Sequence, residues 1–318
     1  MKKRFLFLML LVLALLCAAC GARQAGSDET SETSEQPNEA DTDSDASPAP
    51  DEQWQTVTIG GVEMLWDGYR VQEPESNIDI DTMAFSDFGD DLFAEQYPVQ
   101  VETYTLTAGE ITEAAVYHIT AEQPGKTVYI VAGVHGDEIA AWYAGKLLRG
   151  ATIRSGELYV LAPANANGAR NVSRYVTDRQ DLNRSFPGDA NGNEAERFAA
   201  ALFEDIGDKQ PDLLLDLHEA IVYTEGRDFL GSTLIFTKLD GMEEMFFDLL
   251  FATQDGTICS NEFGYTGPGP EGSINASVTN ELGIPSITVE TFRGFPVERR
   301  VGDQLDVVQY VLQYLELR

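Results

Sequence analysis

From Thr127 to Ala132 the chain runs Thr-Val-Tyr-Ile-Val-Ala with no polar alternation. A strand with one face in water alternates apolar and polar residues, whereas a continuously apolar one is covered on both faces. Leu213 to Leu217 reads as a second buried strand, and Ser286 to Glu290 as a third, with a carboxylate at its end. Further strands are expected at Leu158–Ala162 and Leu234–Thr237, with Val99–Leu106 and Ala114–Thr120 near one edge. Helical periodicity falls between them, at about Asp137–Leu148, Glu194–Glu204, Asp240–Phe251 and Asp303–Leu317. Strands alternating with helices predict an α/β fold, a mixed, mostly parallel sheet with helices on both faces. Functional groups in such folds gather outside the carboxyl ends of the strands. The Pro/Gly-rich segment Gly264–Gly272 reads as a surface loop, and no repeat is present.

The N-terminus is an address. Lys2, Lys3 and Arg4 precede a run of 15 apolar residues, Phe5 to Ala19, that ends in small residues. A positive start, a short apolar run and a small-residue exit describe a secretory signal peptide rather than a membrane span. Leu16-Cys17-Ala18-Ala19-Cys20-Gly21 resembles a bacterial lipoprotein lipobox, with Cys20 as the lipidated residue; ordinary cleavage leaving Cys20 a free thiol is the alternative. Ten acids and no base lie between Gln24 and Glu52, with no aliphatic side chain larger than Ala. Such a stretch cannot bury enough apolar surface to order itself. The expected division is therefore a signal peptide over 1–20, a disordered acidic linker over 21–52, and a folded domain over 53–318. Within that domain, residues 53–98 form an N-terminal extension and 99–318 a catalytic core. The expected location is the extracellular face of a bacterial cell membrane, held by lipid on Cys20.

A net charge of −32 argues against a protein that tracks nucleic-acid phosphates. With 3 cysteines in 318 residues, neither a disulfide scaffold nor a Cys-rich zinc module is in view. Any metal site must draw on His118, His135 and His218, the only three histidines. The first buried strand is followed by Gly133-Val134-His135-Gly136-Asp137-Glu138. An imidazole and a carboxylate three apart at a strand-to-helix corner point at one place, and Zn²⁺ accepts both; acids favouring a helix dipole would look the same. The second buried strand ends Asp216-Leu217-His218-Glu219. Catalytic zinc commonly takes three protein ligands, and His135, Glu138 and His218 make that set.

Between these lies Arg179-Gln180-Asp181-Leu182-Asn183-Arg184-Ser185-Phe186-Pro187-Gly188, whose Asn-Arg pair offers an amide and a bidentate fork for a carboxylate. Glu290 closes the third strand, either as a general base or as a structural residue paired with Arg293.

In that order, HGDE, DLNRSFPG, DLH and a strand-terminal Glu resemble the zinc metallocarboxypeptidase superfamily over about residues 97–318. The spelling is most similar to its succinylglutamate desuccinylase/aspartoacylase branch. The resemblance implies one Zn²⁺ per chain on His135, Glu138 and His218, and Glu290 as the base that activates water. It implies that Asn183 and Arg184 hold a substrate carboxylate and that Asp181 orients His135. A carbonyl-polarising arginine has two candidates, Arg174 and Arg179, with Arg174 slightly preferred because Arg179 sits close to the clamp. That branch usually continues into a β-rich C-terminal domain, whereas 28 residues follow Glu290 here, more like a carboxypeptidase ending. Tyr265 stands where carboxypeptidases carry a tyrosine that caps the substrate.

The expected function is therefore an anchored zinc hydrolase that cleaves an amide beside a free carboxylate. Its substrate is a small acyl-amino acid, or alternatively a peptide C-terminus. A non-catalytic ligand-binding lipoprotein is a further alternative, against which the presence of Glu290 argues. His118, between apolar neighbours, reads as structural, Cys259 as a lone inert thiol, and Phe246, Phe247 and Phe251 as core.

Overall fold

The computed structural model describes residues 54–59, 62–66, 72–74, 82–220 and 231–318. The signal peptide, Cys20 and the acidic linker lie outside the described residues.

Ten strands are described: β1 Gln55–Ile59, β2 Val62–Trp66, β3 Val99–Leu106, β4 Ala114–Ala121, β5 Gln123–Ala132, β6 Ser155–Leu161, β7 Leu213–Ala220, β8 Thr233–Phe236, β9 Gly264–Thr266 and β10 Ser286–Phe292. The helices are α1 Ile139–Leu148, α2 Ala166–Asn171, α3 Glu194–Lys209, α4 Glu243–Gln254, α5 Ile274–Ser277 and α6 Val297–Tyr314. Strands β3 to β10 form one eight-stranded sheet in the order β3-β4-β6-β5-β7-β10-β8-β9. The centre, β6-β5-β7-β10, is parallel; β3, β4 and the β10–β8 pair are antiparallel. This is the mixed, mostly parallel sheet that the apolar runs demand, and every residue of β7 is buried.

Period-2 alternation divides the strand residues between two cores. Val128, Ile130, Leu215, Leu217, Ile287 and Val289 face a layer of α1, α4 and α6. Tyr129, Val131 and Leu214 face α3 and the start of α5. Helix α3 starts at an Asn193 capping box closed by Glu196, the arrangement that satisfies two orphan donors of a first turn reciprocally. The two-stranded β1–β2 hairpin packs Met64, Val57 and Val62 on Phe292, the last residue of β10, and on Phe295 just beyond it. Among the described residues no helix is long and apolar enough to cross a membrane.

Three expectations need correction. Gly264–Gly272 is not all loop, because Gly264–Thr266 pairs in parallel with β8; backbone pairing at a sheet edge outweighs the weak strand preference of Gly. Of the three phenylalanines read as core, Phe246 is buried, but Phe247 and Phe251 are 40% and 53% exposed, since α4 turns that side to solvent. Arg293 does not pair with Glu290; it reaches Asp137 at 2.9 Å and Glu73 at 2.6 Å. His118 meets Glu157 at 2.7 Å and stacks on Tyr159, and burial together with Asp303 and Asp306 holds the Cys259 thiol well above its ordinary pKa.

Candidate metal centre

Two parallel strands set the geometry. His218 on β7 is directly paired with Glu290 on β10. Their neighbours Leu217 and Val289 belong to the α1/α4/α6 core, so alternation turns His218 and Glu290 together to the opposite face. His135 and Glu138 arrive from the next strand along, β5, at the corner before α1. That corner needs a glycine, since a Cβ on Gly136 would lie 2.0 Å from the Gly168 carbonyl carbon and 2.2 Å from the Ala169 nitrogen in α2.

Glu138 lies between the two imidazoles, with Oε1 2.6 Å from His135 Nδ1 and Oε2 2.8 Å from His218 Nδ1. All three side chains are at least nine-tenths buried, and one donor atom from each lies within 4.8 Å of the others. The far nitrogens are also held. His135 Nε2 is 3.2 Å from Asp181 Oδ1, and His218 Nε2 sits at 3.0 Å from Asp216 Oδ2, at ion-pair distance but without hydrogen-bond alignment. The Asp181 carboxylate behind His135 fixes that ring, and the Asp216 charge behind His218 raises its basicity, as suits histidine ligands of metals. Two buried imidazole nitrogens and one carboxylate form a donor set that suits Zn²⁺.

Burial opposes charge on all these groups, and their mutual attraction reverses it. Burial alone would raise Glu138, but His135 and His218 hold it well below the ordinary carboxylate range. His218 is lifted well above its usual value despite burial, chiefly by the charges of Asp216 and Glu138. Asp181 is held below its normal range against burial by its bond to His135 and by Arg174. Glu290 goes the other way. Burial, opposed by His218 and reinforced by Glu138, lifts it to about 7, and its Oε2 is buried with no hydrogen-bond partner.

The two candidate arginines part company. Arg174 donates from Nε (3.0 Å) and Nη2 (2.8 Å) to Asp181 Oδ2, and its Nη1 stands 3.4 Å from His135 Nδ1. Arg179 is exposed, at a turn residue with φ 64°. Asn183 is buried in a 3₁₀ turn at Leu182–Arg184, where its Oδ1 accepts from Ile274 N at 3.0 Å. Arg184 is exposed, with Nη1 2.9 Å from the Asn183 carbonyl. Asp181 caps this turn by accepting from Asn183 N at 2.8 Å, so one carboxylate ties the loop to His135 and Arg174.

Tyr265 is not brought to the centre. It pairs with Leu234 and shares that residue's face, toward the α1/α4/α6 core. There it lies 56% exposed among Phe236, Phe246 and Phe247, with ring centroids at 6.5, 6.3 and 6.3 Å. Sequence reading assigned no part to Asp216 or Glu219. Asp216 was legible in principle, standing two residues before His218 on a strand and so on the same face. Glu219 faces the other way and gave no such signal.

No curated protein matches the chain in sequence. Among solved structures it is similar to a succinylglutamate desuccinylase from Silicibacter sp. TM1040, 18% identical over 70% of this chain and 71% of that one, TM-score 0.52. An aspartoacylase family protein from Mesorhizobium loti is 19% identical over 77% and 71%, TM-score 0.52. A metallo-carboxypeptidase from Burkholderia cenocepacia is 16% identical over 68% and 64%, TM-score 0.52. These likenesses establish the carboxypeptidase-like fold. Residues 124–306, which contain His135, Glu138, Asp181, His218 and Glu290, match the succinylglutamate desuccinylase/aspartoacylase catalytic domain, and the chain belongs to that family.

Proposed function

We propose that this protein is a secreted, lipid-anchored zinc hydrolase that removes an acyl group from an N-acyl amino acid, cutting an amide beside a free carboxylate. The observation that carries this reading is Glu290. Glu290 is half-buried, with Oε2 inaccessible and unpartnered and its pKa lifted to about 7, and it is paired across to β7 with His218 of the His/Glu/His donor set. A residue with only a binding role has no reason to bear that cost of burial.

His135, Glu138 and His218 would hold the Zn²⁺. A cation there supplies Lewis acidity to a carbonyl and makes water easier to deprotonate. Glu290 takes the proton from the attacking water and returns it to the leaving amine; a pKa near 7 suits both transfers. Arg174, with two of its donors committed to Asp181, directs Nη1 toward the scissile carbonyl and stabilises the developing negative charge. Asn183 and Arg184 fix the free carboxylate, Arg184 through its exposed planar fork. Asp181 and Asp216 keep both imidazoles in register.

The anchoring rests on the lipobox at Cys20, where two or three acyl chains hold a protein stably on a bilayer. The test of the activity is turnover on a panel of N-succinyl and N-acetyl amino acids, free-acid peptides and amidated peptides. N-acyl amino acids are expected to turn over, with loss of activity when the substrate carboxylate is amidated. Hydrolysis of free-acid peptides alone would move the protein to the carboxypeptidase side of the superfamily, and no turnover with zinc loaded would leave a binding protein.

A further inference from the structure

Glu138 stands at the N-cap of α1, with φ −84° and ψ 74°, yet makes no side-chain bond to its own helix. An N-cap side chain ordinarily satisfies one of the orphan N–H groups of the first turn. Here the carboxylate is turned away to His135 and His218, which would leave the buried helix start uncapped. Glu219, arriving from β7, fills the gap. Its Oε2 accepts from Ala140 N at 2.8 Å, and its own backbone N–H donates to Glu138 Oε2 at 3.1 Å. One residue thus steadies the ligand carboxylate and performs the capping that the ligand does not.

The Glu219 side chain is fully buried. Its charge is met by Arg300 of α6, whose Nη1 is 2.5 Å from Oε1 and whose side chain is 4% exposed. Arg300 has a longer contact, 3.6 Å, with Glu73 from the segment after the β1–β2 hairpin. One turn further along α6, Gln304 Nε2 donates to the His218 carbonyl at 2.9 Å and to Thr291 Oγ1 at 3.0 Å. Helix α6 therefore holds the end of β7 at two consecutive residues from its own side of the sheet.

We propose that Glu219 and Arg300 are positioning residues of the metal centre. By capping α1 from the neighbouring strand, they release the Glu138 carboxylate from helix capping and keep it available to a cation. In their absence the Glu138 side chain has a competing use at Ala140 N–H, and the donor set loses one member part of the time.

This inference rests on the zinc reading, and the experiment separates the two. The metal-free chain is titrated with Zn²⁺ against a competing chelator, for the wild type, Glu219→Ala, Glu219→Gln and Arg300→Met, alongside thermal unfolding of the metal-free forms. Loss of a partner that orients a ligand typically costs about 10–100-fold in metal affinity, and a loss of that size is expected in Glu219→Ala and Arg300→Met. Glu219→Gln keeps an oxygen for Ala140 N–H and is expected to lose less. A purely structural role would lower the unfolding temperature and leave zinc affinity unchanged, and that result overturns the proposal. Should Glu219→Ala not fold, wild-type affinity in both Glu219→Gln and Arg300→Met overturns it equally. A wild-type chain that binds no zinc removes the zinc reading itself and the inference with it. Tight wild-type binding with unaffected variants removes only the positioning role.

Discussion

Replacing Asp181 with Asn tests how far one carboxylate organises the centre. Asp181 accepts from His135 Nε2, Asn183 N, Arg174 Nε and Arg174 Nη2, at 3.2, 2.8, 3.0 and 2.8 Å. An amide keeps one oxygen, enough for His135 and Asn183, but turns an NH₂ group toward the two donors of Arg174. Hydrogen bonds to charged groups are worth roughly 1.5–3 kcal/mol each, so losing two removes ~3–6 kcal/mol before screening. The Arg174 side chain is 31% exposed, and solvent reduces the loss to about 2–4 kcal/mol. Urea unfolding of the metal-free chain at pH 7 measures this directly. Because the folded pKa of Asp181 is depressed, its stabilisation is complete above the unfolded value of ~3.9 and disappears as pH falls through the folded one. The gap between wild type and Asp181→Asn should therefore be present at pH 5, narrow partly as pH rises through the raised pKa of His135, and close in strong acid. The same substitution should weaken zinc binding about 10–100-fold through His135. Equal stability at pH 7 together with equal zinc affinity would refute the reasoning, for Asp181 would then be a surface carboxylate in effect.

Other outcomes follow from the same geometry. Glu290→Gln should keep zinc and substrate affinity while kcat falls by at least ~10², the lower range for acid–base catalysis; unchanged turnover would remove Glu290 from the chemistry. Because the Glu290 pKa is raised to about 7, its burial costs stability as pH rises from the unfolded value toward 7 and fully beyond it. The metal-free Glu290→Gln chain should accordingly be more stable than wild type at pH 8, by on the order of 1–3 kcal/mol, and closer to it at pH 5. His218→Ala should bind little zinc, checked by elemental analysis, and retain its far-UV circular dichroism because the two cores do not depend on the metal. Gly136→Ala forces a Cβ into the α2 backbone and should destabilise by ~1–3 kcal/mol or more, read as a lower unfolding midpoint. Labelled fatty acid should be incorporated into the wild-type protein in cells and be absent from Cys20→Ala; unlipidated wild type in the medium would exclude the anchor.

Much of the fold was legible because the strands of a doubly covered sheet cannot hide their composition. Thr127–Ala132 and Leu213–Leu217 are apolar on almost every position of both faces and Ser286–Glu290 sets Ile287 and Val289 toward one core, and the polar residues closing them mark the end where function gathers. The ordering of the motifs along the chain pointed to a zinc-hydrolase-like arrangement without any knowledge of which strands adjoin. Adjacency itself was not in the sequence. That β10 lies beside β7, setting Glu290 opposite His218, depends on crossovers whose packing is decided over long range. The same limit applied to the arginines. Arg174 and Arg179 are equally plausible as letters, and only the path of the loop, closed on Asp181, places one at His135 and the other in solvent. The place of Tyr265 was equally out of reach, because the side of a sheet on which a residue stands is set by register, here by pairing with Leu234. Glu219 and Arg300 are separated by 81 residues, and no local pattern announces a helix capped by a different strand. Local propensity and burial pattern determine which segments are strands and helices; the choice of partners at the centre belongs to tertiary structure, because charge pairing and capping act across space and leave no periodic trace in the chain.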